Sequence, residues 1–472
     1  MSKAVATQGS GLDRYFKISQ RGSTVRTEVI AGVTTFMTMA YILFLNPLIL
    51  SVEDRTGATL PSEAVLTVTA LAAALSTIAM GAYANYPFAI AAGLGLNSVV
   101  AFQLVVGSGL TWPQAMGVIV AEGIIIFVLV LTRFRQAVMD SVPLPLKHAV
   151  AVGIGLFITI IGLVDAGFVT RPPEGNPVPV QLGTGGELRG WPVGVFVVGF
   201  LLILFLYTRG MKGSLLIGIL ATTVLAVIVN ETFLDGQGFN GAANYGRIAD
   251  VPSGDDFSLI GDFSFGFFAE LGALAAILAI FTIMLSDFFD TMGTVVGLGR
   301  EAGLLDDRGQ LPDVDRVLLV DSAAAALGGA FSASSNTTYI ESASGIAEGG
   351  RTGLTAVVTG VLFLLSILLS PLAGIVPLQA AAPALVVVGF LMMTTVREIP
   401  WDDLELAIPA FLTIVVMPFT FSITNGIGAG FVVYVFIKLT RGKAGDVRPM
   451  MYVAAAAFVV YFAIFYVRDL LT

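Results

Sequence analysis

Between residues 28 and 440 the chain is a succession of apolar runs, most of about twenty residues, separated by short polar or basic loops. A bilayer requires about 20 apolar residues per spanning helix. The period-two alternation of a spanning barrel is missing. The runs therefore predict an all-α polytopic membrane protein. Composition agrees: 56% of the 472 residues are hydrophobic and only 12% are charged, against about 25% charged in a soluble domain. Cysteine is absent and His148 is the one histidine, which excludes disulfides, thiolate metal sites and a histidine-rich metal centre. No metal and no cofactor is expected. The net charge of −9 is scattered through loops and offers no nucleic-acid surface. The first 25 residues are polar and basic without an apolar h-region, so no cleavable signal peptide is expected.

Loop charge sets the orientation. Lys3, Arg14, Lys17, Arg21 and Arg26 place the arm, residues 1–26, in the cytoplasm. Helix 1 is expected at 28–50, helix 2 at 63–83, a broken third segment at 86–98 leading into Val99–Val106, and helix 4 at 113–132. Helices 5, 6 and 7 follow at 148–165, 192–208 and 214–231, and a polar loop, 232–262, divides the chain nearly into halves. Helix 8 is expected at 266–289, with an extension to Gly297 allowed, and helix 9 at 317–331. A broken tenth segment occupies 331–345, and helices 11–14 fall at 354–376, 382–396, 403–421 and 426–440. Seven segments per half is an odd number, so a second half of similar build is inverted. The apolar run 449–467 lies beyond the symmetry, and either spans the membrane or lies at its interface.

Two interrupted stretches carry the chemistry. In helix 8, Asp287 and Asp290 sit within an apolar run. A carboxylate near the bilayer centre costs about 2.5–3.5 kcal/mol, so each is expected to face protein or water. Thr294 is four residues beyond Asp290 and shares its helix face. In the tenth segment Ser332, Ser334, Ser335, Asn336, Thr337 and Thr338 precede Glu341, a composition suited to exposed backbone lining an enclosed cavity. In the third segment Gly93, Gly95, Asn97 and Ser98 interrupt the apolar run. Paired breaks at corresponding positions of two halves point to a transporter binding site. Their half-helix N-termini favour anionic or electron-rich ligand atoms. Asn97, Ser98 and Asn336 either touch ligand or satisfy freed backbone groups. Thr38 and Tyr41 lie beside the site if helix 1 borders it, although threonine also bonds back within its own helix. Glu122, in helix 4, is a weaker candidate, and Phe88 or Phe289 is the aromatic expected to stack on a planar ligand. No Walker pattern is present, which excludes an ATP-driven pump. No nucleophile–base pair or metal cluster suggests an enzyme.

The runs Phe289-Asp290-Thr-Met-Gly293-Thr294, Thr337-Thr-Tyr-Ile-Glu341-Ser342, Gly349-Gly350-Arg351-Thr-Gly353 and Ala92-Gly-Leu-Gly-Leu-Asn97 resemble the AzgA-like purine permeases. Those proteins are a branch of the nucleobase–ascorbate transporter superfamily. The resemblance extends over nearly the whole chain and includes Glu28–Tyr41 and Ile408–Thr413. It implies a seven-plus-seven inverted repeat with short strands in segments 3 and 10. It also implies a core domain (27–135 and 264–377) and a gate domain (147–231 and 379–441). Members commonly form dimers, so a homodimer is an expected assembly.

The uracil-transporting relatives carry Glu-His-x-Gly-His and Thr-Thr-Tyr-Gly-Glu at the two breaks. Matching these motifs puts Asp290 and Glu341 at the two acidic positions. The chain departs from them in having Thr291 and Thr294 where those relatives have histidine, and in having Ala92 where a proline is expected. The implied substrates are adenine, guanine and hypoxanthine, taken up across the cell membrane by proton symport. Asp290, Glu341, Thr294, Asn97, Ser98, Asn336, Thr38 and Phe289 are the expected binding residues. Glu341 and Asp290 are the expected proton carriers. The competing reading is an anion channel or exchanger on the same fold, whose site should offer a basic residue or bare helix termini.

Overall fold

The structure is a computed structural model that describes residues 11–132, 142–173, 178–236, 238–239, 249–306 and 311–471, without the side chains at 289, 292, 293, 296 and 464–471. Residues 1–10 of the arm, Arg133 and Arg135, and Asp307 and Arg308 of the loop between helices 8 and 9 lie outside the described residues.

Among the described residues nine helices are long and apolar enough to cross a membrane, beginning with Val25–Ile49 and ending with Ile423–Thr440. Expected segments 3, 9, 10 and 13 fall short of that criterion for local reasons. Helix 9, Val314–Ala330, carries Asp315, Arg316 and Asp321. Helix 13, Leu404–Thr420, is 17 residues long and contains Pro409 and Pro418. Segments 3 and 10 are interrupted by strands. Helix 8 runs over Ala273–Glu301, starting later and ending later than expected. Gly272, at φ 75°, separates it from a short helix, Phe267–Leu271; a positive φ is accessible to glycine without steric cost.

Helix 1 is also two pieces, Val25–Met39 and Ile42–Ile49. Thr24 caps the first piece by accepting from Thr27 N at 3.1 Å. The break falls at Ala40 and Tyr41, nearly two turns before Pro47, which deprives the second piece of a backbone donor. The loop after helix 5 contains a two-residue hairpin, Val169–Thr170 against Gln181–Leu182, which the glycine and proline content alone did not predict.

The helices pack in two sets. Helices 1, 2, 4, 8, 9 and 11 gather around the two broken segments, while helices 5, 6, 7, 12, 13 and 14 pack on one another. Backbone approaches in the first set are very close. A Cβ at Gly123 of helix 4 would lie 2.3 Å from Ala326 N of helix 9. Small residues allow such contact, and dispersion is the main attraction available between helices in lipid. The C-terminal run forms a helix, Pro449–Leu471, which lies against helix 14 and also touches helix 8. Its Phe458 is buried and meets Phe431 edge to face at 6.0 Å.

Candidate substrate site

Residues 90–92 and 336–338 form the two short strands that the breaks imply. They pair antiparallel, Ile90 with Thr338, Ala91 with Thr337 and Ala92 with Asn336. Gly93 N donating to Ser335 O and Tyr339 N donating to Ala89 O, both at 2.9 Å, extend the ladder at each end. Inside a membrane protein every backbone donor and acceptor needs a partner. Here each broken segment supplies the other's. Ala92, standing where proline was expected, pairs within the ladder. Gly93 is required by proximity, since a Cβ there would lie 2.9 Å from Thr337 Cγ2.

A helix follows each strand. Leu94–Ser98 continues into Val99–Gly107 after the first, and Ser342–Ala347 follows the second. Glu341 occupies the turn between strand and helix and is half-buried, and the neighbouring Ile340 is 54% exposed. Tyr41 donates its hydroxyl to Glu341 Oε1 in a short hydrogen bond. Thr38 Oγ1, which bonds back to Thr35 O at 2.9 Å, also reaches Glu341 O at 3.4 Å. The break in helix 1 thus brings Tyr41 to the carboxylate. Asp290 is exposed on helix 8 and lies within electrostatic reach of Glu341, Tyr41 and Tyr339. Among the described residues no lysine or arginine forms an ion pair with Asp290 or Glu341.

The remaining expected residues are distributed unequally. Thr294 is buried on helix 8 near its exposed aspartate, and Asp287 is buried one turn earlier. Asn97 is fully buried and donates from Nδ2 to Asn46 Oδ1 at 2.7 Å, and Asn46 in turn bonds Thr69 Oγ1 and Ala333 O. Ser98 Oγ bonds back to Leu94 O at 3.0 Å. Asn336 reaches Ser76 Oγ at 3.4 Å. The side-chain oxygens of Asn97 and Asn336 have no protein partner among the described residues. The amide nitrogens of Asn97 and Asn336 thus tie the broken segments to helices 1 and 2, while Ser98 bonds within its own helix. Phe88 is fully buried and stacks on Tyr86 at 5.1 Å, within a separate apolar cluster. The side chain of Phe289 lies outside the described residues.

One central residue escaped the sequence reading. Asp321 of helix 9 is buried; its Oδ1 accepts from Thr338 N at 3.0 Å and Thr338 Oγ1 at 2.7 Å, and its Oδ2 accepts from Thr291 Oγ1 at 2.7 Å. Thr291 in turn bonds Thr337 at 2.9 Å. This single carboxylate fastens the second strand to helices 8 and 9. The signal was available, since Asp321 is a carboxylate within an apolar run just as Asp290 is. Glu122 is fully buried behind the same strand, with Ser335 Oγ 3.5 Å from its Oε2.

Inverted broken segments that complete each other's backbone pairing, beside an exposed carboxylate and a tyrosine-held one, define a membrane transporter. Its fold is the seven-plus-seven inverted repeat. The transmembrane domain of a cyanobacterial bicarbonate transporter, BicA, superimposes with TM-score 0.60 at 16% identity, over 86% of this chain and 96% of that one. The chain belongs to the permease family whose model matches residues 26–429. The adenine permease AdeP of Escherichia coli is 41% identical over 97% of this chain and 98% of its own length. The guanine/hypoxanthine permease PbuG of Bacillus subtilis is 38% identical over 95% and 98%. The resemblance to AzgA-like purine permeases is borne out by these relatives.

Proposed function

We propose that the chain imports purine nucleobases, namely adenine, guanine and hypoxanthine, across the cell membrane by proton symport, with its N-terminus in the cytoplasm. The observation that carries this reading is the placing of Glu341, held by Tyr41, beside the exposed Asp290, with no paired cation among the described residues. A purine edge presents ring N–H donors and nitrogen or oxygen acceptors. An ionised carboxylate accepts from such donors and a protonated one donates to such acceptors, so one of each reads the edge. Tyr41 occupies Oε1 of Glu341 and leaves Oε2 for the ligand. Thr294, Asn97, Ser98, Asn336 and Thr38 complete the proposed substrate-binding set, and Phe289 remains the proposed stacking partner.

In this reading 27–135 and 264–377 form a core that carries the site past a gate of 147–231 and 379–441, and a homodimer braces the gate. A proton bound with substrate on Glu341 or Asp290 gains about 2.3 kcal/mol per 100 mV of membrane potential, roughly fiftyfold accumulation. An anion exchanger on this fold needs positive charge at the site, and two carboxylates oppose it. The test is competition of labelled hypoxanthine uptake by adenine, guanine, xanthine, uracil and sulfate in cells lacking their own purine permeases. Competition by the first two supports the reading. Transport of sulfate or bicarbonate without hypoxanthine refutes it.

A further inference from the structure

A cleft of about 470 Å³ opens at the end of the molecule where the basic arm lies. This volume falls within the range of small-molecule sites. The arm, the end of helix 2 and the start of helix 9 enclose it. Among the described residues three cations line it, Lys17, Arg21 and Arg316, against one carboxylate, Asp313.

The walls are fixed by tyrosines. Tyr15 donates to Ala82 O at 2.8 Å and Tyr86 to Pro312 O at 2.5 Å. The floor is fixed by Asn85 and Arg21. Asn85, in a left-handed conformation at φ 56°, bonds both Phe16 O and Gly353 N. Arg21 Nη1 donates to Asn85 O at 2.6 Å and to Arg351 O at 3.0 Å. That leaves Nε and Nη2 of Arg21 without a protein acceptor among the described residues, and its guanidinium lies 5.2 Å from the Tyr86 ring centroid. The Arg316 guanidinium lies 5.9 Å from the ring of Tyr83, which is 54% exposed. Neither Lys17 nor Arg316 is ion-paired among the described residues.

We propose that this cleft is a binding site for a phosphate-bearing ligand, separate from the carboxylate site. Guanidinium donors recognise phosphate through paired hydrogen bonds. The remaining N–H groups of Arg21, with Lys17 and Arg316, line a cleft whose floor the bonds of Asn85 and Arg21 hold in place. Two sources present this chemistry, a soluble nucleoside monophosphate and the headgroup of an anionic lipid. The exposed Tyr83 ring and the guanidinium over it suit the base of the former.

The experiment uses the purified full chain in nanodiscs of phosphatidylcholine, with saturating adenine present to occupy the carboxylate site. Binding of labelled adenosine monophosphate is measured with inorganic phosphate and adenosine as competitors. In a second arm, native mass spectrometry counts phosphatidylglycerol retained from mixed-lipid discs. Both arms are repeated on Lys17→Gln/Arg316→Gln, whose exposed positions leave adenine uptake unchanged. Nucleotide binding that phosphate displaces, adenosine does not, and the double variant weakens at least tenfold assigns the soluble ligand. Retained phosphatidylglycerol lost in the variant assigns the headgroup. Absence of both effects, or equal competition by adenosine, overturns the proposal.

Discussion

Removing the Asp321 carboxylate should uncouple the second strand from the helices behind it. Asp321→Ala deletes the acceptor of Thr338 N, Thr338 Oγ1 and Thr291 Oγ1. The Thr291 hydroxyl can re-pair, because it already lies 2.9 Å from Thr337 Oγ1. Any backbone donor left without an acceptor costs about 1–3 kcal/mol when buried, and Thr338 N–H has no mobile substitute. That penalty corresponds to roughly five- to a hundredfold in an equilibrium constant. It should appear partly as lost stability and partly as weaker substrate binding, since Glu341 follows three residues after Thr338. Asp321→Asn retains an acceptor for Thr338 and can donate to Thr291, so it should recover most of the loss. The assay is thermal unfolding of the solubilised protein alongside labelled adenine uptake, normalised to the amount in the membrane. Wild-type melting temperature and KM in Asp321→Ala would refute the role assigned to this residue.

Three further outcomes follow from the same geometry. Asp290→Asn should reach the membrane yet lose roughly ten- to a hundredfold in apparent purine affinity, because a charge-assisted hydrogen bond contributes about 1.5–3 kcal/mol; uptake kinetics check it, and wild-type affinity contradicts it. Gly345→Ala should destabilise by about 1–3 kcal/mol through overpacking, since its Cβ would lie 2.1 Å from Thr35 Oγ1 and 2.6 Å from the backbone Ala31 O; a thermal melt equal to wild type would show that helix 1 yields freely. Burial of Asp54, in the loop between helices 1 and 2, works to raise its pKa, but bonds from Thr56, Ala58 and Trp112 prevail and hold it below the usual carboxylate value. The stability it contributes is therefore present above the unfolded pKa and lost as pH falls through the folded one, and Asp54→Asn should flatten that part of the acid-unfolding profile.

Segments 3 and 10 were legible because glycines, serines and threonines inside apolar runs have few roles in a spanning helix other than to release backbone for pairing. Asp290 and Glu341 stood out for the cost of placing a carboxylate in lipid. The same argument applied to Asp321 and was missed, because Asp321 stands alone within the apolar run 317–331, whereas Asp290 has Asp287 three residues before it. The break at Ala40 and Tyr41 was not legible from local pattern. Nothing there resembles a helix stop, and the position matters only because Glu341, 300 residues away, accepts from the Tyr41 hydroxyl. For Asn97 and Asn336 the sequence left ligand contact and bracing open; their amide nitrogens meet Asn46 and Ser76, partners that only the tertiary fold brings near. Helix 8 was placed several residues early because Phe267–Leu271 is as apolar as the helix it precedes, and only Gly272 separates them.

The proposal of a proton carried at the crossed strands is tested most directly in proteoliposomes with an imposed pH gradient. Equilibrium purine binding and gradient-driven accumulation are measured on wild type and on Glu341→Gln, whose amide imitates the protonated acid and can still donate. The wild type should accumulate purine, while the variant should bind and exchange it yet fail to concentrate it. Undiminished accumulation in Glu341→Gln, or a wild type indifferent to the gradient, would contradict this mechanism.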